Sequence, residues 1–473
     1  MLNGVLEWVG YYENKGTPKE VINSQLTALK NCYSSLKRDG VLVIAIENRF
    51  APYFLRFPDH GGSYFTSFLP RKLSNIITKT FHKRPYNTYT YDYYGYKNLL
   101  MKAGFENVYI YGCWPLYRKP RIIYNLENDD AIKSLFALNL PKTRIGKAYF
   151  KIVSKSLILA KMLANSYIIF AFKGKGRLLG DILYSGNGLG VKIFDLKNKI
   201  VITKVRPKKL AKAILKGVKN MYEDRKTISP KLKHIDHDKR IYVEEIVYGR
   251  QATLNDAENI LGLFNVMCGI YKRYAQGVIV SEYIGKIREK LRLISKESLE
   301  NRILINQANK IIDYLSLNYK DEKIIVTKVH GDFHLGNILI KEKTNNPVLL
   351  DWEASRTCSL LYDYFTFWML AHSVGLINLK NLIEITPKKL PEQLALKIID
   401  HFKTIDNKVQ RKMHLYFNLF LLERIFYKFT LLKAIPYLRD LVTKELQHQI
   451  FLWKHISGPQ FSENRDQLKN TEN

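Results

Sequence analysis

Residues 330–353 carry the pattern that decides the fold. The sequence reads HGDFHLGNILI over residues 330–340 and VLLDWE over residues 348–353. Asp332 and Asn337 lie five residues apart, and Asp351 ends an apolar run fourteen residues after Asn337. Phosphoryl transfer from ATP needs a carboxylate near the attacking hydroxyl and oxygen ligands that hold Mg²⁺ on the phosphates. The pattern therefore indicates phosphotransfer chemistry.

The segment between Asn337 and Asp351 is predicted to form a β-hairpin. Residues 338–340 and 348–350 are short apolar runs, and Asn345-Asn346-Pro347 is a turn signal between them. Such a hairpin brings Asn337 and Asp351 side by side at its open end, where both can bind one metal ion. The alternative is a surface hairpin with these residues by chance, which requires residue types, order and both spacings to coincide.

The loop also carries a family resemblance. Its spacing matches the protein-kinase pattern H-R-D-x-x-x-x-N, but Gly331 replaces Arg, and Asp-Trp-Glu replaces Asp-Phe-Gly. These differences resemble the aminoglycoside phosphotransferase and choline kinase group, which has the protein-kinase fold and acts mostly on small molecules. The resemblance implies that Asp332 is the catalytic base and that His330 braces the loop by hydrogen bonding. It assigns Asn337 and Asp351 to Mg²⁺.

The same resemblance implies a bilobal α+β domain. The N-lobe is expected at residues 175–250, and the helical C-lobe with the catalytic loop at residues 251–456. A glycine-rich turn precedes two predicted strands, and the second strand ends near a lysine; these residues are Gly186, Gly188, Gly190 and Lys204. In a kinase N-lobe the loop amides cover the phosphates of ATP, and the lysine neutralises phosphate charge. A plain β-hairpin is the alternative for this turn taken alone.

Two acidic residues are further candidates for the nucleotide site. Glu223, on a predicted helix over residues 210–228, is the candidate partner of Lys204, with Asp224 next; either is equally well explained as a solvated surface charge. Glu244 lies in a short predicted strand that resembles the hinge, where backbone groups bind adenine. Asp363, twelve residues after Asp351, is predicted to be structural, at the start of a helix.

The first third of the chain has a second resemblance. Its motifs are NGVLEW at residues 3–8, LKRDGVL at residues 36–42, IENR at residues 46–49 and AGF at residues 103–105. They look like the C-terminal half of a class I S-adenosylmethionine-dependent methyltransferase, with residues 167–172 as the final strand. The expected fold of residues 1–174 is therefore a partial Rossmann-like α/β fragment.

This fragment lacks the family's cofactor grip. No GxGxG motif precedes residue 174, although glycines in the first loop let the backbone approach the cofactor. S-adenosylmethionine is therefore not expected to bind this chain alone. Residues 1–174 are interpreted as a truncated or split methyltransferase, completed by a partner chain, or as the result of a misplaced start codon.

Composition limits the partners. The 473 residues carry a net charge of +32, but the basic residues are spread along the chain without a nucleic-acid motif. Specific nucleic-acid binding is not expected. Four cysteines lie far apart, and the N-terminus does not resemble a signal peptide. A cytoplasmic protein without a transmembrane span is predicted, with a disordered tail at residues 457–473.

The predicted function is ATP-dependent phosphorylation of a hydroxyl on a small molecule or glycan. Two alternatives stay open. One is a nucleotide-binding scaffold with little catalytic activity, and the other is one component of a split methyltransferase in glycan modification. The complete set of Asp332, Asn337 and Asp351 favours an enzyme, with ATP and Mg²⁺ as cofactors.

Overall fold

The chain divides into two compact units, Met1–Lys204 and Val205–Asn473. The computed structural model describes residues 1–12, 17–55, 57–59, 62, 64, 66–137, 148, 151–153, 155–176, 180–185, 190–294, 299–373, 378–384 and 390–434. The predicted domain boundary at residues 174/175 falls inside the first unit, so it remains a prediction. The predicted tail at residues 457–473 lies outside the described residues.

The first unit combines a sheet with six helices among its described residues. The strands are β1 (Leu2–Asn3), β2 (Val41–Glu47), β3 (Asn107–Trp114), β4 (Ile122–Asn125), β5 (Ser166–Phe172), β6 (Ile182–Tyr184), β7 (Gly190–Asp195) and β8 (Ile200–Val205). The helices are α1 (Val9–Tyr12), α2 (Pro18–Ser35), α3 (Arg71–His82), α4 (Tyr93–Lys102), α5 (Asp129–Ala137) and α6 (Leu157–Leu163). The strand predicted at residues 167–172 is present within β5, and the Rossmann-like methyltransferase fold remains a prediction.

The strand order in this unit is β1-β2-β5-β3-β4-β6-β7-β8. β1 pairs parallel with β2, whereas β5 lies between β2 and β3 and is antiparallel to both. The sheet core is formed by apolar side chains such as Ile44, Ile110 and Ile169, all nearly inaccessible to solvent. The placement of β5 between two earlier strands was not predicted from the sequence, because local patterns do not specify which strands pair.

Helix α2 shows how local chemistry sets an element boundary. The Thr17 hydroxyl accepts a hydrogen bond from the Glu20 backbone N–H (3.3 Å), and the Glu20 carboxylate accepts one from the Thr17 backbone N–H (3.0 Å). This reciprocal capping satisfies two amides at the helix start, and Pro18 fits the first turn. The helix therefore begins at Pro18, directly after this cap.

The second unit is rich in helices. Its strands are β9 (Leu232–Asp236), β10 (Ile241–Glu245), β11 (Gly249–Gln251), β12 (Gln276–Ile279), β13 (Lys323–Val329), β14 (Ile338–Lys341), β15 (Pro347–Leu349) and β16 (Arg356–Ser359). Its helices are α7 (Lys208–Arg225), α8 (Ala257–Tyr274), α9 (Val280–Ile294), α10 (Leu299–Tyr319), α11 (Tyr362–Ser373), α12 (Leu379–Ile383), α13 (Leu390–Phe402) and α14 (Met413–Ala434).

A hairpin, two three-stranded sheets and one large apolar core organise this unit. β9 and β10 form a hairpin, β14 lies between β11 and β15, and β13 lies between β12 and β16. The core includes Phe264, Phe365 and Trp368, and aromatic rings pack edge to face across it. This core holds both ends of the segment 330–353, since β13 precedes the segment and β16 follows it.

Among the described residues, no helix is long and apolar enough to cross a membrane. The most apolar stretch of the sequence, residues 157–172, is divided between the short helix α6 and strand β5.

Candidate active site

The predicted hairpin forms, and it brings the two proposed metal ligands to one end. β14 pairs antiparallel with β15, with Ile338 opposite Leu349. One step further, the Leu350 backbone N–H donates to the Asn337 carbonyl (2.8 Å). Asp351 follows directly, with a left-handed backbone conformation (φ +61°). The open end of the hairpin therefore presents Asn337 and Asp351 together.

Asp332 lies beside Asn337 on the same loop. The Asn337 side-chain amide donates to the Asp332 backbone carbonyl (2.9 Å) and to its carboxylate (3.3 Å). Asn337 is buried, whereas 47% of the Asp332 side chain is exposed. The buried amide fixes the loop, and the carboxylate stays accessible to a substrate.

The surroundings of Asp332 favour its ionised form. Burial is the largest single influence and opposes ionisation, but it is countered by His334, whose Nε2 lies 3.6 Å from the carboxylate. The charge of Arg424 acts in the same direction as His334, and the net effect is a lowered pKa of Asp332. The carboxylate is therefore ionised at neutral pH.

His330 is fully buried and braces the loop as a neutral imidazole. Its Nε2 lies 2.7 Å from the Leu350 carbonyl oxygen, and its Nδ1 accepts a hydrogen bond from the Asp332 backbone N–H (3.2 Å). Because a carbonyl only accepts, the proton is on Nε2. Burial lowers the pKa of His330, although nearby carboxylates oppose the shift. The predicted bracing role agrees with this geometry.

Asp363, on helix α11, binds the backbone of the loop that carries Asp332. Its carboxylate accepts hydrogen bonds from the backbone N–H groups of His330 (2.6 Å) and Gly331 (2.8 Å). It also accepts one from the Tyr271 hydroxyl (2.8 Å). The residue is inaccessible to solvent, so Asp363 positions the catalytic loop and does not face a substrate. This agrees with its predicted structural role.

Gly331 occupies a position that other residues cannot. Its φ is +88°, and a Cβ atom there would lie 2.2 Å from the Ala354 carbonyl oxygen. The absence of a side chain lets the loop pass directly over the segment after Asp351. The replacement of Arg by Gly in the kinase pattern therefore has a steric reason in this chain.

The Asp-Trp-Glu element is held by residues that the sequence did not single out. Arg225, at the end of α7, is buried, and its Cζ lies 4.8 Å from the centre of the Trp352 ring. Its Nη1 lies 3.8 Å from a Glu244 oxygen, so Glu244 faces this arginine from strand β10. The Tyr242 hydroxyl donates to Glu353 (2.7 Å). No local sequence signal marks Arg225, because its partners are distant in the chain.

The structure places the other nucleotide-site candidates as follows. Glu223 is 78% exposed and pairs with Lys226 (3.3 Å), within its own helix end. Lys204 lies on strand β8 in the first unit, and Gly190 begins strand β7 there. Gly186 and Gly188 lie outside the described residues. The assignment of these groups to the nucleotide remains a prediction.

A buried carboxylate lies on the far side of the Asp-Trp-Glu element. Glu423, on α14, accepts hydrogen bonds from the backbone N–H (2.6 Å) and hydroxyl (2.8 Å) of Ser359. The Tyr283 hydroxyl donates to it as well. Burial raises the pKa of Glu423 from 4.5 to about 7, although these hydrogen bonds and Arg356 oppose the shift. Glu423 is therefore a titratable group in the core.

We expect Glu423→Gln to change the pH dependence of stability. The folded protein holds the Glu423 proton up to about pH 7, whereas the unfolded chain releases it near 4.5. The resulting stabilisation is complete below about pH 4.5 and is lost as the pH rises through about 7. A change of this size corresponds to about 3 kcal/mol. Urea unfolding of both proteins between these pH values measures it.

Glu384→Gln, at an exposed residue directly after α12, is the matched control for this measurement. Relative to the wild type, Glu423→Gln should gain stability as the pH rises, and the control should not. A stability difference between the wild type and Glu423→Gln that does not change with pH would contradict the raised pKa.

Comparison with known proteins supports a phosphotransferase pattern in this region. Residues 320–379 match the phosphotransferase enzyme family; this segment contains the loop, the hairpin and Asp363. No curated protein matches the chain.

Three solved structures illustrate the structural comparison. The choline kinase LicA from Streptococcus pneumoniae is 12% identical with a TM-score of 0.35, over 58% of this chain and 85% of that one. A choline/ethanolamine kinase family protein from Mesorhizobium loti is 11% identical with a TM-score of 0.37, over 67% and 97%. Macrolide 2'-phosphotransferase type I is 14% identical with a TM-score of 0.38, over 57% and 92%. These sequence identities and TM-scores are low and do not by themselves indicate a function.

Proposed function

We propose that this protein transfers the terminal phosphoryl group of ATP to a hydroxyl of a small molecule or glycan. One observation carries the proposal: an accessible carboxylate, Asp332, lies on a braced loop beside Asn337, at the hairpin end that also presents Asp351. The family match over residues 320–379 supports the same reaction class.

Asp332 is the proposed catalytic base. Its carboxylate orients the acceptor hydroxyl and accepts its proton as the oxygen attacks the phosphorus atom. Its lowered pKa keeps the carboxylate ionised before the substrate arrives, so that it can accept a hydrogen bond from the hydroxyl. His330 and Asp363 hold the loop backbone, so the carboxylate needs little reorganisation during the reaction.

Asn337 and Asp351 are the proposed Mg²⁺ ligands. The Asn337 side-chain nitrogen is committed to Asp332, which leaves its amide oxygen for a cation. An amide oxygen and a carboxylate fit Mg²⁺, which usually takes one or two protein oxygens together with phosphate oxygens and waters. Bound there, Mg²⁺ would neutralise charge on the phosphates. Among the described residues, no group of three or more His, Cys, Asp or Glu side chains forms a separate metal site.

The phosphates of the nucleotide are proposed to contact the predicted N-lobe lysine and glycine-rich turn. Lys204 would neutralise phosphate charge, and the turn with Gly186, Gly188 and Gly190 would cover the phosphates. Backbone groups near Glu244 would bind adenine. Glu223 is left out of this site, because its exposed carboxylate pairs with Lys226.

We expect Mg·ATP to raise the melting temperature of the full chain, and ATP without Mg²⁺ to raise it much less. A ligand that binds only the native state stabilises it in proportion to its occupancy, and the proposed site contacts phosphates partly through the metal. Differential scanning fluorimetry with ATP, ATP plus Mg²⁺, and ATP plus EDTA measures the effect.

Asp351→Ala is the test variant for metal binding, and Asp313→Ala, at an exposed position on α10, is its control. The variant Asp351→Ala should lose the metal-dependent shift, whereas the control should keep it. A folded wild-type protein that shows no shift at millimolar Mg·ATP would remove the proposed function.

Turnover distinguishes an enzyme from a nucleotide-binding scaffold. ADP release is measured with and without a panel of sugars and amino alcohols. A phosphotransferase releases ADP faster when its acceptor is present, and the phosphorylated product appears in equal amount. Binding of Mg·ATP without product formation from any acceptor would favour the scaffold.

We also propose that residues 1–174 are a methyltransferase-like fragment and that this chain alone does not bind S-adenosylmethionine. These residues contain no GxGxG motif, and glycines at that place let the backbone approach the cofactor. Isothermal titration calorimetry of the full chain should show no saturable binding. Micromolar affinity would contradict this reading and restore methyl transfer as a candidate function, independently of the kinase test.

A further inference from the structure

Helix α3, in the first unit, exposes its apolar side instead of burying it. Leu73, Ile76 and Phe81 are 43%, 61% and 76% exposed. At about 100° per residue, these three side chains lie within an arc of about 140° on the helix surface. A helix at the surface of a globular protein normally turns such an arc toward the core, so this one is arranged in the opposite sense.

The polar side of α3 fixes this orientation. Ser74 and Thr78 are buried, and the Ser74 hydroxyl donates to the Thr66 carbonyl oxygen (2.6 Å). The Asn75 side-chain oxygen accepts a hydrogen bond from the Tyr86 backbone N–H (3.0 Å). Rolling the helix to bury Ile76 and Phe81 would break these bonds and leave buried polar groups unpaired.

The only charged side chains on helix α3 and on the two residues that follow it are positive. Residues 71–84 contain no Asp or Glu, and their basic side chains are Arg71, Lys72, Lys79, His82, Lys83 and Arg84. Lys72 and Lys79 are exposed, and on the helix surface they lie about 40–60° beyond Ile76. The apolar arc is therefore bordered by cations on the side of Ile76.

We propose that α3 is an interfacial helix that binds the surface of an anionic lipid bilayer. Its apolar arc enters the boundary between headgroups and acyl chains, and Lys72 and Lys79 contact anionic headgroups. An anionic bilayer can bind both the apolar arc and the lysines, because it offers an apolar interior and negatively charged headgroups. The helix lies on the membrane and does not cross it.

Charge argues against a second copy of the chain as the occupant. The chain has a net charge of +32, and pairing two α3 surfaces would bring two uninterrupted basic segments together. An exposed apolar patch beside basic side chains fits a partner that combines negative charge with an apolar interior. An anionic membrane offers both.

Vesicle sedimentation of the full chain tests this proposal. The protein should sediment with vesicles of phosphatidylcholine mixed with phosphatidylglycerol, and much less with phosphatidylcholine alone. The double variant Ile76→Ser/Phe81→Ser removes apolar area without changing charge and should weaken binding about tenfold or more. The double variant Lys72→Gln/Lys79→Gln should weaken it about twenty-five-fold, since each lysine near the surface contributes about fivefold.

Leu317→Ser is the matched control, because Leu317 is 72% exposed on α10 in the second unit. It should bind vesicles like the wild type. All substituted side chains are exposed, so the melting temperatures should agree and confirm folding. Wild-type protein that ignores anionic vesicles would overturn the proposal, as would unchanged binding by Ile76→Ser/Phe81→Ser. A shift of that variant from dimer to monomer in light scattering, without an effect on vesicles, would assign the surface to self-association instead.

Discussion

Replacing Asp332 with Asn is expected to lower turnover by about two orders of magnitude or more, the contribution of a positioned general base. The amide has nearly the same volume, and its oxygen can still accept the hydrogen bond from Asn337. The loop should therefore keep its conformation. What is lost is the charge that accepts the hydroxyl proton, so Mg·ATP binding should remain close to that of the wild type.

The contrast with Asp351→Ala makes this prediction specific. Asp332→Asn should keep the Mg·ATP thermal shift and lose turnover, whereas Asp351→Ala should lose both. Asp313→Asn, at an exposed ion pair on α10, is the control for the chemical change. If Asp332→Asn retained wild-type turnover, or if it abolished nucleotide binding as Asp351→Ala does, the roles assigned to these carboxylates would be wrong.

Replacing Asp363 with Ala is expected to destabilise the second unit by about 3–5 kcal/mol. The carboxylate is inaccessible to solvent and accepts hydrogen bonds from the amides of His330 and Gly331 and from the Tyr271 hydroxyl. Its removal leaves three buried donors without their acceptor. Urea unfolding measures the loss, and turnover by the folded fraction should fall as well, because the loop that carries Asp332 loses its anchor.

A graded series separates this effect from simple loss of volume. Tyr271→Phe removes only one of the three donors and should cost about 1 kcal/mol. Asp363→Asn keeps the shape but presents an amide donor where the loop also donates, so it should remain strongly destabilised. Near-normal stability of Asp363→Asn would show that the carboxylate is not the anchor described here.

The segment 330–353 shows how much a local pattern can establish. The hairpin forms as predicted, and His330 makes hydrogen bonds within the loop and to Leu350, because these contacts join residues within about twenty positions of one another. Short apolar runs and a turn signal determine such a hairpin with little help from the rest of the chain.

Other parts of the site depend on partners far away in sequence. Arg225 contacts Trp352, and Glu423 accepts hydrogen bonds from Ser359, although each pair is far apart in sequence. Helix and strand periodicities relate only nearby residues, so they do not predict these contacts. The exposure of Glu223 likewise follows from the rotation of helix α7, which packing decides. The sequence therefore provided candidates for the nucleotide site, but could not choose between a buried and a solvated carboxylate.

The sequence by itself determined the set of residues on which the proposed reaction rests, because Asp332, Asn337 and Asp351 are recognised by their spacing on one continuous loop and hairpin. Tertiary structure alone decided the hydrogen-bond partners of Asp363, the raised pKa of Glu423, and the outward apolar face of helix α3. The physical reason is the same in each case. Burial and hydrogen-bond partners are properties of the packed chain, and packing joins residues that local sequence patterns cannot relate.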